Sequence, residues 1–292
     1  MKKKEIIQKL YEDERSLFGQ KNLRIRDTIF DKGESPLKES SDIELSDCMF
    51  RYKYPLWYVN NVYAKNTTWF EMARAGVWYA KNVTVEESVV TAPKNFRRCE
   101  DLTLTRVDFT NAEETLWSCR NVRLQDVHAR GPYFAMNSED MEVDGLILDG
   151  NYSFDGVKNS VIRNSTLITK DAFWNTENVT VENCFISGEY LGWNARNLTL
   201  IGCTIESLQG MCYIDHLIMK DCKLINTTLA FEYSSVDAEI TSKVDSILNP
   251  GSGTIRAERI DRLIIERDYC DEGKTKIICD DIGVKKDVND EL

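Results

Sequence analysis

The chain has 292 residues, of which 42% are hydrophobic and 29% charged, with a formal net charge of -11. That acidic balance repels phosphate backbones and leaves nucleic acid a poor partner, while a mean hydropathy of -0.40 and the lack of any apolar run near the roughly 18 residues of a membrane span exclude a transmembrane helix. Nine cysteines, odd in number and loosely spaced, fit free thiols in a reducing compartment better than a disulfide framework.

The start, Met1-Lys2-Lys3-Lys4, is basic, but the charged stretch after it has no continuous apolar region. No export leader is legible, and a cytoplasmic location is expected. Within residues 1–18, Ile6, Ile7, Leu10 and Tyr11 fall at helical spacing, which predicts an amphipathic helix serving as an N-terminal cap.

From Leu23 onward the chain repeats. An apolar residue, usually preceded by Asn or Asp, recurs at Leu23, Ile43, Val62, Val83, Leu102, Val122, Met141, Val179, Leu198, Leu217, Val236 and Ile255, with Ser160 the one polar member. Steps of 19 to 21 residues signal a solenoid. With the recurrent residue called zero, apolar or small residues also sit at plus two, plus five and plus seven. This reads as two short strands separated by a bend at plus four, where Asp27, Asp47, Asn66 and Asn183 tolerate left-handed backbone angles. A third strand is predicted before each zero, pointing inward at minus six (Leu37, Leu56, Val77, Phe96, Leu116, Phe154, Phe173).

The fold class is therefore all-β: a parallel β-helix spanning residues 19–279, with about 12–13 coils of three short strands each. Coils of 19 residues break the five-residue rule of the competing pentapeptide helix. From Ala238 the pattern loosens, and 280–292 reads as a charged, frayed tail.

The columns separate scaffold from candidate site. The Asn/Asp column at minus one (Asn22, Asp42, Asn61, Asn82, Asn178, Asn197) reads as a structural amide ladder, so the apparent sequons that begin at Asn82, Asn178 and Asn197 are repeat grammar. Cys48, Cys184, Cys203 and Cys222 share the inward plus-five column and read as small core residues. With no C-x-x-C pair, no metal site is expected; no cofactor is implied either, since no Gly-rich phosphate loop appears. His128 and His216 belong to no nucleophile motif.

The minus-five column differs: Lys38, Trp57, Trp78, Arg97, Trp117, Met136, Asp155, Trp174, Trp193, Cys212 and Phe231. Five of the six tryptophans fall here, and Lys38, Arg97 and Asp155 would be intolerable in a core, so alternation places the column outside. Tyr133 and Tyr190 run beside it at minus eight, and Tyr58, Tyr79, Arg98, Asn175 and Asn194 at minus four.

Three readings are open: a sugar polymer bound by rings with amide and charged neighbours, an interface with a protein or a second copy of the chain, or a second core covered by loops; the interleaving of charged and amide residues with the rings puts the sugar polymer first and the interface as the alternative. Whether the protein is an enzyme is open as well. Asp155 and Asp171 lie on neighbouring coils and could approach the carboxylate spacing of an inverting glycosidase, yet the same holds for many pairs on an acidic solenoid, and solvated charge is the favoured reading.

The third-face phrases, among them Tyr54-Pro55-Leu56-Trp57-Tyr58, Gly76-Val77-Trp78-Tyr79, Asn95-Phe96-Arg97-Arg98-Cys99 and Gly192-Trp193-Asn194, resemble a bacterial family known as domain of unknown function 3737, over about residues 14–279. The resemblance implies a right-handed β-helix of pectin-lyase-like architecture and no known activity. The broader architecture is similar to that of polysaccharide hydrolases and lyases, but the N-T-D and H-G motifs of polygalacturonases are missing and the one Asp-Asp pair, Asp280-Asp281, lies in the tail. Fold analogy assigns no chemistry.

Overall fold

A computed structural model describes residues 3–287, in two compact units, Met1–Gly150 and Asn151–Leu292. In unit 1 the strands Lys21–Arg26, Ser41–Ser46, Asn60–Lys65, Lys81–Val90, Glu100–Phe109, Arg120–Gln125 and Glu139–Asp144 stack in parallel. Their register joins the repeat positions: Leu23 pairs with Ile43, Ile43 with Val62, Val62 with Val83, and so on to Met141. A second parallel sheet lies beyond the bend, aligning Ile29, Met49, Thr68, Val89, Asp108, His128 and Ile147.

Unit 2 repeats the plan, with Ser160, Val179, Leu198, Leu217 and Val236 in register. Each unit is a parallel β-solenoid. Period-two alternation puts zero, plus two, plus five and plus seven inside, where Leu23, Ile25, Thr28 and Phe30 are at most 2% exposed. Stacking of identical positions lets Phe30, Phe50 and Trp69 form an internal ring column at centroid spacings of 4.9 and 5.5 Å.

Both ends of the chain depart from expectation. Residues 4–11 form no capping helix. Lys4–Ile7 and Leu10–Tyr11 are strands pairing with the next coil, Lys4 opposite Leu23 and Leu10 opposite Ile29, because the open end of the sheets offers more backbone hydrogen bonds than an isolated short helix could keep. At the other end, Val236 pairs with Gly253 and Ala238 with Ile255, so Ile255 is not the next zero; bulges shorten this coil. Within the stretch 280–292 expected to fray, Ile282–Asp287 is a strand opposite Ile260 to Ile265, and 288–292 lie outside the described residues. Among the described residues no helix is long and apolar enough to cross a membrane.

The third face, expected to be a strand, is instead a run of turns interrupted by isolated bridges, which join Trp78, Arg97 and Trp117 in unit 1 and fall at Ala230 and Glu232 in unit 2. Alternate residues there are left-handed: φ is 59° at Lys94, 51° at Phe96 and 50° at Arg98, with the same pattern at Glu114, Leu116 and Ser118. A bulky L-residue in this region costs roughly 1–2 kcal/mol. The inward member of each turn is correspondingly well packed, with Phe96, Leu116 and Phe154 no more than 1% exposed.

Left-handed angles also mark the minus-one column, where they suit asparagine. Asn61 donates to Asp42 at 2.7 Å, Asn178 to Asn159 at 2.9 Å and Asn197 to Asn178 at 2.8 Å, an amide ladder of the expected structural kind.

Candidate functional site

The turns of the third face carry the minus-five and minus-four side chains outward, one of each per coil. In unit 1, Lys38, Trp57, Trp78, Arg97, Trp117 and Met136 are all half-buried. Their large faces lie along the solenoid axis. Trp57 and Trp78 stack at 5.2 Å and 6°, and the Arg97 guanidinium sits between Trp78 at 5.2 Å and Trp117 at 4.7 Å.

Indole N–H groups are committed as well: Trp57 Nε1 donates to the Ala75 carbonyl at 2.6 Å and Trp78 Nε1 to that of Lys94 at 2.8 Å. Arg97 pairs with the Glu114 carboxylate and donates from Nε to the Glu114 carbonyl at 3.3 Å.

A second stack runs alongside at minus four. Tyr58 and Tyr79 lie 4.9 Å apart at 5°, with Lys38 5.7 Å from Tyr58 and Arg98 5.7 Å from Tyr79. Both columns thus alternate or end in cations placed over ring faces, where the aromatic quadrupole attracts them. The faces a sugar would stack on are occupied within the chain, and ring edges and phenol hydroxyls meet solvent, with Tyr58 49% exposed. Tyr133, on the neighbouring column, is 37% exposed.

Unit 2 presents a different outer edge. Trp174 and Trp193 are half-buried, tilted at 6.0 Å, and Trp174 Nε1 donates to the Tyr190 carbonyl at 2.7 Å. Trp193 stacks on Tyr213 at 4.4 Å, and Lys170 lies 5.8 Å from the half-buried Tyr190 ring. Cys212 and Phe231, which share the column by sequence, are fully buried instead. At Phe231 the coil shifts, so that left-handed angles fall at Leu229, Phe231 and Tyr233, one residue later than in the preceding coils, whereas the coil of Cys212 keeps the regular pattern at Gln209, Met211 and Tyr213.

Outside the tryptophans runs a polar ladder in which Asn175 Nδ2 donates to Asp155 Oδ1 at 2.8 Å and Asn194 Nδ2 to Asn175 Oδ1 at 2.8 Å. Each amide spends one N–H within the ladder and keeps a second N–H facing outward, since Asn175 and Asn194 are exposed.

The carboxylate pair Asp155 and Asp171 does not face solvent as a pair. Asp155 is held by Asn175, whereas Asp171 is 3% exposed and burial pushes its carboxyl above the usual aspartate range. The cysteines behave as core: eight are buried and Cys279 is half-exposed. Burial raises the Cys48 thiol to about 11 and the Cys212 thiol to about 12. His216 is exposed with Nδ1 2.9 Å from its neighbour Asp215. Among the described residues no group of three or more His, Cys, Asp or Glu side chains is placed to hold a metal ion.

A family described as "Protein of unknown function (DUF3737)" matches residues 4–278. No curated protein matches the chain. Among solved structures, the chain is similar to the A-module of the mannuronan C-5 epimerase AlgE6 of Azotobacter vinelandii, with 10% identity, a TM-score of 0.46, and 81% of this chain and 88% of that one covered. It is also similar to PfbA, a surface adhesin of Streptococcus pneumoniae, at 11% identity and a TM-score of 0.38 over 97% of this chain and 83% of that one. A tailspike protein mutant of E. coli bacteriophage HK620, in complex with a pentasaccharide, aligns at 11% identity and a TM-score of 0.37 over 89% and 60% of the two chains.

Proposed function

We propose that this chain, which belongs to the DUF3737 family, is a glycan-binding β-solenoid that holds a neutral sugar polymer along the ladder of Asp155, Asn175, Asn194 and Tyr213 in unit 2. The observation that carries the reading is the spacing of that ladder. It sets one hydrogen-bonding side chain per coil, and coils advance by about 4.8 Å, close to the advance of one pyranose in an extended chain. Sugar hydroxyls can therefore meet the outward amide N–H groups of Asn175 and Asn194 on successive coils, with the Asp155 carboxylate and the Tyr213 hydroxyl on the coils that flank them and the edges of Trp174 and Trp193 beneath.

An extended peptide presents side chains on one face about every 6.6 Å and would drift out of step within two coils. The net charge of -11 favours a neutral glycan over a polyanion along this edge. Because Asp155, Asn175 and Asn194 are tied to one another and Tyr213 is stacked on Trp193, little side-chain entropy remains to be lost on binding.

The test is a panel of neutral polysaccharides run against the full chain and against Asn175→Gly and Asn194→Gly. Glycine keeps the left-handed backbone (φ 55° and 59°) and removes only the amide. Retention of a polysaccharide by the native chain and its loss in both variants supports the reading; a blank across a broad panel overturns it.

A further inference from the structure

A depression on unit 1 lies away from the aromatic ladder. It is an open groove of about 660 Å³ on the outer face of the first sheet, over the strands Lys21–Arg26, Ser41–Ser46, Asn60–Lys65 and Lys81–Val90. Its charge runs against that of the chain. The lining includes Lys3, Arg24 and Arg26 but only one carboxylate, Glu44, on a molecule whose net charge is -11. Glu44 is engaged by Arg24 at 2.7 Å and by Lys3 at 3.0 Å, bonds that hold its carboxyl below the usual range and keep it ionised. Arg26 is exposed, and among the described residues no carboxylate pairs with its guanidinium.

Tyr63 stands in the same groove and differs from every aromatic of the ladder. Its neighbours in register are Glu44 on one side and Thr84 on the other, so no ring covers its faces. It is 37% exposed, and its hydroxyl donates to Glu86 at 2.9 Å, which fixes the ring in place. Asn82 and Thr84 line the same wall. Arg26 is two coils from Tyr63, about 10 Å at the coil spacing, or roughly two sugar units.

We infer that this groove binds an acidic oligosaccharide of the uronate class, one sugar ring lying on Tyr63 and the carboxylate of a nearby unit meeting the Arg26 guanidinium. The open aromatic face takes the apolar C–H side of a pyranose, Asn82 and Thr84 offer groups for its hydroxyls, and the planar guanidinium matches a carboxylate bidentately. The site is separate from the unit 2 ladder in residues and in ligand charge.

The experiment is a calorimetric titration of the full chain with galacturonate, glucuronate and mannuronate trimers, with the carboxyl-reduced neutral trimers and acetate as controls. At least one uronate trimer is expected to bind saturably and more tightly than its neutral counterpart. Arg26→Gln should weaken that binding about tenfold, the equivalent of one charge-assisted hydrogen-bonding pair, without changing the melting temperature, since Arg26 is exposed and unpaired. Tyr63→Ala should weaken the uronate trimer as well, and Asn194→Gly, which removes a rung of the unit 2 ladder, should leave uronate binding unchanged, so that failure here and failure of the unit 2 ladder are told apart. Absence of uronate binding, equal affinity in Arg26→Gln, or displacement by acetate as effective as by the trimer overturns the assignment.

Discussion

The Arg97 guanidinium lies 4.7 Å from the centroid of Trp117 and takes the place, in its coil, that an indole takes in the coils to either side. A third indole would add apolar area. A cation adds attraction to both neighbouring ring faces and an ion pair to Glu114 besides. Arg97→Ala should therefore lower the free energy of unfolding by about 2 kcal/mol, and Arg97→Lys should restore less than half of it, because an ammonium lacks the planar fork that fits between two rings. Urea denaturation of the two variants checks this, and a lysine variant as stable as the native chain would contradict it.

The amide ladder at minus one carries a backbone prediction. Asn197 has φ 52° and donates to Asn178. Replacement by alanine removes the amide and puts a Cβ into the left-handed region, whereas glycine removes the amide alone. The alanine variant should be less stable than the glycine variant by about 1 kcal/mol, measured as a difference in melting midpoint. The reverse order would mean that the ladder does not dictate the backbone.

Asp171 predicts a pH dependence. Burial raises its carboxyl in the folded chain above the unfolded value near 3.8, so the folded state holds a proton that the unfolded state gives up. The contribution is fully present below the unfolded value and is lost as pH rises through the folded one. Asp171→Asn should flatten that decline and be more stable than the native chain at neutral pH; asparagine tolerates the φ of 58° at this position. Unfolding free energies from pH 3 to 8 decide the matter, and an unaltered slope in the variant would contradict it.

Thiol reactivity is set by the core columns. Of nine cysteines, only Cys279 is more than marginally exposed, and the raised Cys48 and Cys212 thiols are poor nucleophiles. A disulfide reagent should label Cys279 rapidly in the native chain and the other cysteines only on unfolding. Rapid native labelling of Cys48 would show that its column opens.

The solenoid was legible because Leu23, Ile43 and their successors recur at one spacing, and stacking then forces like residues onto like. Cys203 and Asn197 could be placed in the scaffold from that register alone. The third face was less legible because its left-handed positions carry Tyr58, Phe96 and Arg98 rather than glycine or asparagine. Local chemistry disfavours that backbone there, and packing against neighbouring coils imposes it. Ile6, Ile7, Leu10 and Tyr11 fit a helical face and two short strands equally, and the free sheet edge decides between them. The outward placement of Trp57 and Trp78 came from alternation, but not the axial stacking that closes their faces, since that depends on ring orientation. Nothing in the repeat marked Tyr63, a single aromatic in a column of Arg24, Glu44 and Thr84.

If unit 2 reads a neutral glycan one sugar per coil, calorimetric titration with neutral oligosaccharides of increasing length, from a polymer the chain retains, will show it. Affinity should climb with each added sugar until the oligosaccharide covers the rungs from Asp155 to Tyr213, and in Asn175→Gly and Asn194→Gly the climb should stop at the missing rung. Affinity that does not change with length, or a climb that both variants preserve, would mean that the rungs of unit 2 do not hold the glycan.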